Sequence, residues 1–187
     1  MIEAELKAHV RDPEHVLDAL EKLAVGRAEV YQDIYYDDAQ RTLTTEGREL
    51  RIRTVHGVET VSMMTYKGAR VDEESGSKPE HETRIDDARA AHALLRGLGY
   101  TPMIQFEKRC RNYDFHHAGR RLLATLVRVP ELDETFIEVE SLVESDDQVA
   151  EALAVVREVL KGLGISHDAL TTELYTETVA ARRSDAR

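Results

Sequence analysis

Residues 2–10 alternate without a break, with Ile2, Ala4, Leu6, Ala8 and Val10 on one side and Glu3, Glu5, Lys7 and His9 on the other. A period of two is that of a strand with one buried face. Asp12-Pro13 then supplies an N-cap and a first-turn proline, and Val16, Leu17, Leu20 and Leu23 form a helical stripe that ends near Gly26. Aromatic and β-branched residues over 29–36 predict the next strand. Turns at Glu46-Gly47 and His56-Gly57 bracket a hairpin of residues 49–54 with 58–67. Residues 68–79 are polar and rich in turn formers, which predicts a mobile loop. A strand over 80–85 leads into a helix capped by Asp86 or Asp87, carried by Leu94, Leu95 and Leu98 and closed by Gly97 and Gly99. Two long strands over 103–115 and 120–129 turn at His117-Ala118-Gly119, and 135–143 is a further strand. Helices over 146–163 and 169–181 complete one expected domain spanning 1–187, its C-terminal helices at about 146–182.

A Glu-x-Glu strand followed by an acidic cap and a helix occurs three times: Glu3/Glu5 then Asp12, Glu80/Glu82 then Asp86, and Glu138/Glu140 then Asp146. This predicts a weak pseudo-repeat of β-α-β units, two related halves of one closed sheet. Carboxylates at i and i+2 on a strand point the same way, roughly 6.5–7 Å apart, so such a pair can share one divalent ion. A single pair is more often the wet face of an antiparallel sheet. Recurrence changes the balance, because Arg51 and Arg53 repeat the spacing with the opposite sign and Lys7, Lys67, Lys108, Arg109 and Arg111 add cations. If the sheet closes with this face inward, both signs line one cavity, which is costly unless ions and an anionic ligand neutralise it. Carboxylates suit Mg²⁺ or Mn²⁺, and Arg and Lys suit phosphate oxygens.

Composition narrows the alternatives. At 187 residues and 21.2 kDa, with 42% hydrophobic and 33% charged residues, the chain is long enough for its own core and too apolar for disorder. A net charge of −11 disfavours general binding to nucleic acid or to anionic membrane, while leaving room for a basic pocket within an acidic shell. The single cysteine, Cys110, excludes an internal disulfide, and the opening residues lack the form of a signal peptide, so the cytoplasm is the expected compartment.

The motifs Glu3-x-Glu5-x-Lys7, Leu50-Arg51-Ile52-Arg53, Thr65-Tyr66-Lys67-Gly68, Lys78-x-Glu80-x-Glu82, Glu107-Lys108 before Tyr113, and Phe136-Ile137-Glu138-Val139-Glu140 stand in a fixed order. In that order the chain resembles the CYTH family, the triphosphate tunnel metalloenzymes, which includes class IV adenylyl cyclases, thiamine triphosphatases and inorganic triphosphatases. The resemblance runs from residue 3 to about 140 and on to Tyr175. It implies an α+β fold in which eight antiparallel strands close into a tunnel flanked by helices. It also implies metal carboxylates at Glu3, Glu5, Glu138 and Glu140, with Glu82 beside them and Glu80 as the second choice for that place. Lys7, Arg51, Arg53, Lys67 and Lys108 would bind phosphates, and Glu3, Glu5 and Lys7 would form the catalytic set.

The implied activity is Mg²⁺- or Mn²⁺-dependent hydrolysis of an inorganic, nucleoside or thiamine triphosphate. A class IV adenylyl cyclase and a non-catalytic polyphosphate-binding module stand as alternatives, and a homodimer is possible in each case. Three positions depart from the family. Val127 stands where relatives usually carry an Asp, with Asp133 or Glu134 as a replacement or as solvent-facing residues. Cys110 stands in place of an Arg, and Lys78 replaces another. Arg109 and Arg111 flank Cys110 but face the other way on a regular strand. Adjacent His116 and His117 lack zinc-site spacing, the Gly-Leu-Gly runs at 97–99 and 162–164 close helices, and the tyrosines at 31, 35, 36 and 113 read as packing.

Overall fold

The computed structural model describes residues 1–72 and 75–186, so part of the loop expected to be mobile, Glu73 and Glu74, lies outside the described residues. In chain order the elements are β1 (Ile2–Val10), α1 (Pro13–Glu21), β2 (Arg27–Asp37), α2 (Thr42–Thr45), β3 (Glu49–His56), β4 (Thr60–Lys67), β5 (Lys78–Ile85), α3 (Ala88–Gly97), β6 (Thr101–His117), β7 (Arg120–Arg128), β8 (Thr135–Val143), α4 (Val149–Gly162), β9 (Leu170–Thr171) and α5 (Tyr175–Asp185). Antiparallel neighbours follow the order β5-β4-β3-β2-β6-β7-β8-β1, and β1 returns to β5 through Ile2–Pro79 and Glu3–Lys78. Eight strands therefore close on themselves.

The closing seam is short, and the rest of the β1 edge finds other partners, as its unpaired backbone requires. The Glu5 N–H donates to Ser77 Oγ at 3.3 Å, the Glu5 carbonyl accepts from the Gly76 N–H at 3.3 Å, and β9 pairs with Lys7 and Ala8. No helix among the described residues is long and apolar enough to cross a membrane.

Which face of β1 turns inward is decided by helices outside the barrel. Ala4, Leu6 and Ala8 pack with Val16 and Leu20 of α1 and with Ala152, Leu153, Val156 and Leu160 of α4 in the main core. With the apolar side covered from outside, alternation leaves Glu3, Glu5 and Lys7 pointing into the lumen. Leu20 is fully buried in this layer, so Leu20→Ala is expected to cost about 2–5 kcal/mol, read as a fall in the denaturant midpoint at unchanged slope. A second core of Phe106, Cys110, Val127, Val129, Phe136, Tyr175 and Val179 joins the barrel to α5.

Several local expectations are corrected. The first helix stops at Glu21, and Leu23 and Val25 are exposed. At Gly26 the Tyr113 ring lies 2.7 Å from where a Cβ would sit, so close approach requires glycine there. Leu94 of α3 and Leu98 just past its end face solvent, and Ala91 and Leu95 make the contact with Tyr36 and Ile52. The expected helix over 169–181 begins only at Tyr175, because Leu170 and Thr171 are recruited to the β1 edge. Tertiary pairing overrides local helical pattern at that point. The three Glu-x-Glu strands are contiguous in the ring, β8 beside β1 and β1 beside β5, so the carboxylates concentrate on one wall.

Candidate functional site

Glu5 of β1 stands directly opposite Glu140 of β8 in the antiparallel register, and Glu3 lies two residues along on the same face. Their carboxylate oxygens come within 4.8 Å of one another. A cluster of oxygen donors, Glu3 buried and Glu5 and Glu140 half-buried, with no nitrogen or sulfur among them fits a hard divalent cation. Burial, with Glu3 and Glu138 nearby, pushes the Glu5 carboxyl up to about 8. Burial, with Glu3 and Glu5, holds Glu140 well above its ordinary value. For Glu3 burial acts the same way but is outweighed by Lys67, by the hydrogen bond from Glu140 and by Arg51, which bring it down to about 2. Protons on Glu5 and Glu140 thus do in the free cluster what a cation would do with more charge.

The stability of the fold depends on pH through this cluster. Glu5 has a raised folded-state pKa, so its contribution is fully present below its unfolded value near 4.5 and is lost as pH rises toward 8. The melting temperature of the wild type is therefore expected to fall relative to Glu5→Gln between about pH 6 and 8, and Mg²⁺ or Mn²⁺ is expected to suppress that fall. Melts of both proteins across that range, with and without metal, read it directly.

The remaining carboxylates divide differently from expectation. Glu138 faces Lys7 in register and lies 3.6 Å from Lys108, so it belongs with the lysines, apart from the cluster of three. Burial would raise it, but Lys108 and Lys7 together hold it below the ordinary range. Glu82 is exposed beyond the lumen and accepts from the Thr65 hydroxyl at 2.7 Å. Of the β5 pair it is Glu80 that joins the internal network, 3.1 Å from Lys67.

Cations occupy the facing wall. Arg53 Nε and Nη2 each donate to the buried Asp33 carboxylate at 2.7 Å, and Arg51 Nη1 lies 3.8 Å from it. Burial opposes ionisation of Asp33, yet Arg53 and then Arg51 hold its carboxyl far below the usual range. The buried Nε of Arg51 has no hydrogen-bond partner. Lys67 is paired with Glu3, and Lys78 Nζ donates to Glu49 at 2.5 Å and to the Gly47 carbonyl at 3.1 Å. Lys7 donates to the Glu173 carbonyl, and the Tyr175 ring stands 4.4 Å from Lys7 Nζ and 4.6 Å from Lys108 Nζ. The Arg51, Arg53, Lys7, Lys67, Lys78 and Lys108 side chains surround a cavity of about 100 Å³ that also reaches Glu3, Glu5, Glu138 and Glu140. The segregation has an energetic meaning, because each internal ion pair can be exchanged when a cation takes the carboxylates and an anion takes the basic groups.

The departures noted in the sequence have definite positions. Cys110 and Val127 are opposite each other in the β6–β7 register, and both are buried among Tyr35, Phe106, Phe136 and Tyr175. Asp133 does not turn inward but pairs with Arg182 at 3.0 Å in solvent, and Glu134 is exposed. Arg109 and Arg111 point outward to Glu107 and Glu21. Burial pushes the Cys110 thiol up to about 12, which suits a packing role. Asp33, Glu49 and Tyr175 are members of the site that sequence reasoning passed over. Asp33 carries a readable signal, lying between Tyr31 and Tyr35 on the inward face of β2, whereas Tyr175 reaches the site only through the position of α5.

Comparison with known proteins agrees with this architecture. Residues 1–175 match the CYTH domain family. A protein of Methanocaldococcus jannaschii named "Putative adenylate cyclase" is 28% identical over 179 residues, covering 95% of this chain and 98% of that one. A solved structure from Pyrococcus horikoshii is 27% identical and superposes with a TM-score of 0.83, covering 97% of this chain and 99% of that one. A Hippeastrum structure, described as a "putative adenylyl cyclase" that reveals a dominant triphosphatase activity, shares the fold at 17% identity and a TM-score of 0.64, covering 99% of this chain and 96% of that one.

Proposed function

The chain belongs to the CYTH family of triphosphate-binding tunnel enzymes, and from that membership we propose that it is a divalent-metal-dependent phosphohydrolase acting on a triphosphate inside its barrel. The observation that carries the reading is the division of one lumen into a carboxylate wall on β1 and β8 and a cationic wall on β3, β4 and β6. Arg51 and Arg53, held by Asp33, would clamp phosphate oxygens together with Lys67 and Lys108, and Lys7 would balance charge nearer the carboxylates. Glu3, Glu5 and Glu140 would hold Mg²⁺ or Mn²⁺. Such an ion, when bound, withdraws charge from a phosphoryl oxygen and lowers the pKa of water. Lys67 links the two walls, since release of Glu3 to a cation frees the ammonium for phosphate.

Hydrolysis is preferred over cyclisation because the charged groups of the lumen address phosphates and metal. The triphosphatase activity described for the Hippeastrum protein of this fold supports that order. The name of the Methanocaldococcus relative favours the second reading, cyclisation of ATP to cyclic AMP and pyrophosphate on the same groups. Incubation with inorganic triphosphate, ATP and thiamine triphosphate in Mg²⁺ and Mn²⁺ separates the two by product. Orthophosphate released only with metal is the expected result. Cyclic AMP with pyrophosphate would establish the second reading, and tight binding without turnover would leave a binding module.

A further inference from the structure

β1 reaches β5 only through Ile2 and Glu3, so the closing seam covers Pro79 and Lys78 and leaves the rest of that edge of β5 open. Glu80 donates its N–H to the Met1 carbonyl at 2.9 Å, and from His81 to Ile85 the strand has β4 on one side and no strand on the other among the described residues. Successive residues of a strand direct their backbone groups to opposite edges. The Pro79 carbonyl accepts from the Gly68 N–H on the β4 side, and Glu80 donates on the β1 side. Glu82 and Arg84 therefore direct their N–H and C=O groups to the open edge, and Thr83 directs its own to β4. Such an edge is a template for a further strand. Against residues 80–83 lies a groove of about 590 Å³ walled by Met1, Met64, Tyr66 and Leu142, with Met1 and Leu142 exposed.

The charges on this edge complement their own copy. A two-fold antiparallel pairing of β5 with a second β5, centred on Thr83, sets Glu82 opposite Arg84 of the second copy and Arg84 opposite its Glu82. These are also the residues whose backbone groups are turned outward to exchange hydrogen bonds. The two neighbouring registers, centred on Glu82 or on Arg84, would bring like charges together on the axis. Arg84 makes no ion pair among the described residues, and Glu82 accepts only from the Thr65 hydroxyl, so both charges are available. Charged side chains ordinarily blunt an edge strand. In the order Glu82-Thr83-Arg84 they admit one register and oppose its neighbours.

We propose that the open edge of β5 is a contact between two copies of this chain, paired antiparallel about Thr83. The second strand would also cover the exposed apolar side chains of the groove. A contact built on one short strand edge belongs to the weak, reversible class and responds to concentration and salt. It is independent of the triphosphate reading, since neither Glu82 nor Arg84 lines the charged cavity.

Sedimentation of the full chain at concentrations up to about 100 μM reads the assembly. The wild type is expected to pass from monomer to dimer over that range, and added salt to reverse the change. The two-fold axis repeats every substitution, so Glu82→Arg or Arg84→Glu alone makes both cross-strand pairs like-charged and is expected to weaken the dimer about tenfold or more. Mixing the two single variants restores opposite charges in a mixed pair and is expected to recover association, as is the double variant Glu82→Arg with Arg84→Glu. Both side chains are exposed, so thermal melts of the variants should match the wild type. A wild type that stays monomeric throughout, a dimer indifferent to both single substitutions, or single variants whose mixture fails to associate would overturn the assignment.

Discussion

Glu3→Gln is expected to lower metal-dependent phosphate release by about 10²–10³-fold in kcat while leaving the barrel folded. Glu3 is the carboxylate of the cluster that stays ionised across the physiological range, brought to about 2 against burial by Lys67, Glu140 and Arg51. It is therefore the group that presents a full negative charge to an arriving cation. The amide keeps the shape and one acceptor oxygen but removes that charge, and it also takes from Lys67 the partner that a cation would displace. Lys67 retains Glu80 at 3.1 Å, so the loss of stability should stay near about 1–3 kcal/mol. Steady-state rates at saturating substrate and a thermal melt of the same preparation check both halves. A variant within about threefold of the wild type in kcat would remove Glu3 from the chemistry.

Arg53→Met should produce the largest change in stability of any single substitution on the basic wall. Asp33 is fully buried, and two of its strongest partners are the paired 2.7 Å hydrogen bonds from Arg53. Removing them leaves a buried carboxylate facing Arg51 at 3.8 Å, which is a cost of about 3–5 kcal/mol and, for a chain of this size, a fall in Tm on the order of 10 °C. Triphosphate affinity should fall with it. The double variant Asp33→Asn with Arg53→Met removes the stranded charge as well, so it is expected to recover much of the stability and none of the affinity. That divergence is the signature of a pair whose fixed geometry serves a ligand, because a merely structural pair would recover both or neither. Denaturant titration and calorimetry on the two variants separate these outcomes.

How much of this was legible in the sequence depends on the periodicity of each segment. β1 and β8 have the same bounds in prediction and structure, because strict alternation with a buried partner on one face fixes both extent and facing. From those two strands the meeting of Glu3, Glu5 and Glu140 follows once the sheet closes. Closure was suggested by the recurring Glu-x-Glu strands and by the resemblance, but not its position, since a seam of two residue pairs at Ile2 and Glu3 leaves almost no local trace. Glu138 shows the limit of spacing arguments. It shares the i, i+2 pattern with Glu140, yet cross-strand neighbours Lys7 and Lys108 take it out of the carboxylate cluster. Glu82 lies apart from the cluster for a different reason, being exposed farther along β5 than Glu80. Tyr175 and the carbonyl of Glu173 were invisible because the C-terminal segment reads as continuous helix until Leu170 and Thr171 find the open edge of β1.

One lumen holds both walls in mutual reach, joined by the Lys67–Glu3 pair. Titrating inorganic triphosphate and ATP calorimetrically into the protein, at several fixed concentrations of Mg²⁺ or Mn²⁺, tests that most directly. Metal is predicted to raise triphosphate affinity, triphosphate to raise metal affinity by the same factor, and Lys67→Ala to reduce both the affinity and the coupling. Triphosphate binding that is unaffected by metal and by loss of Lys67 would contradict it.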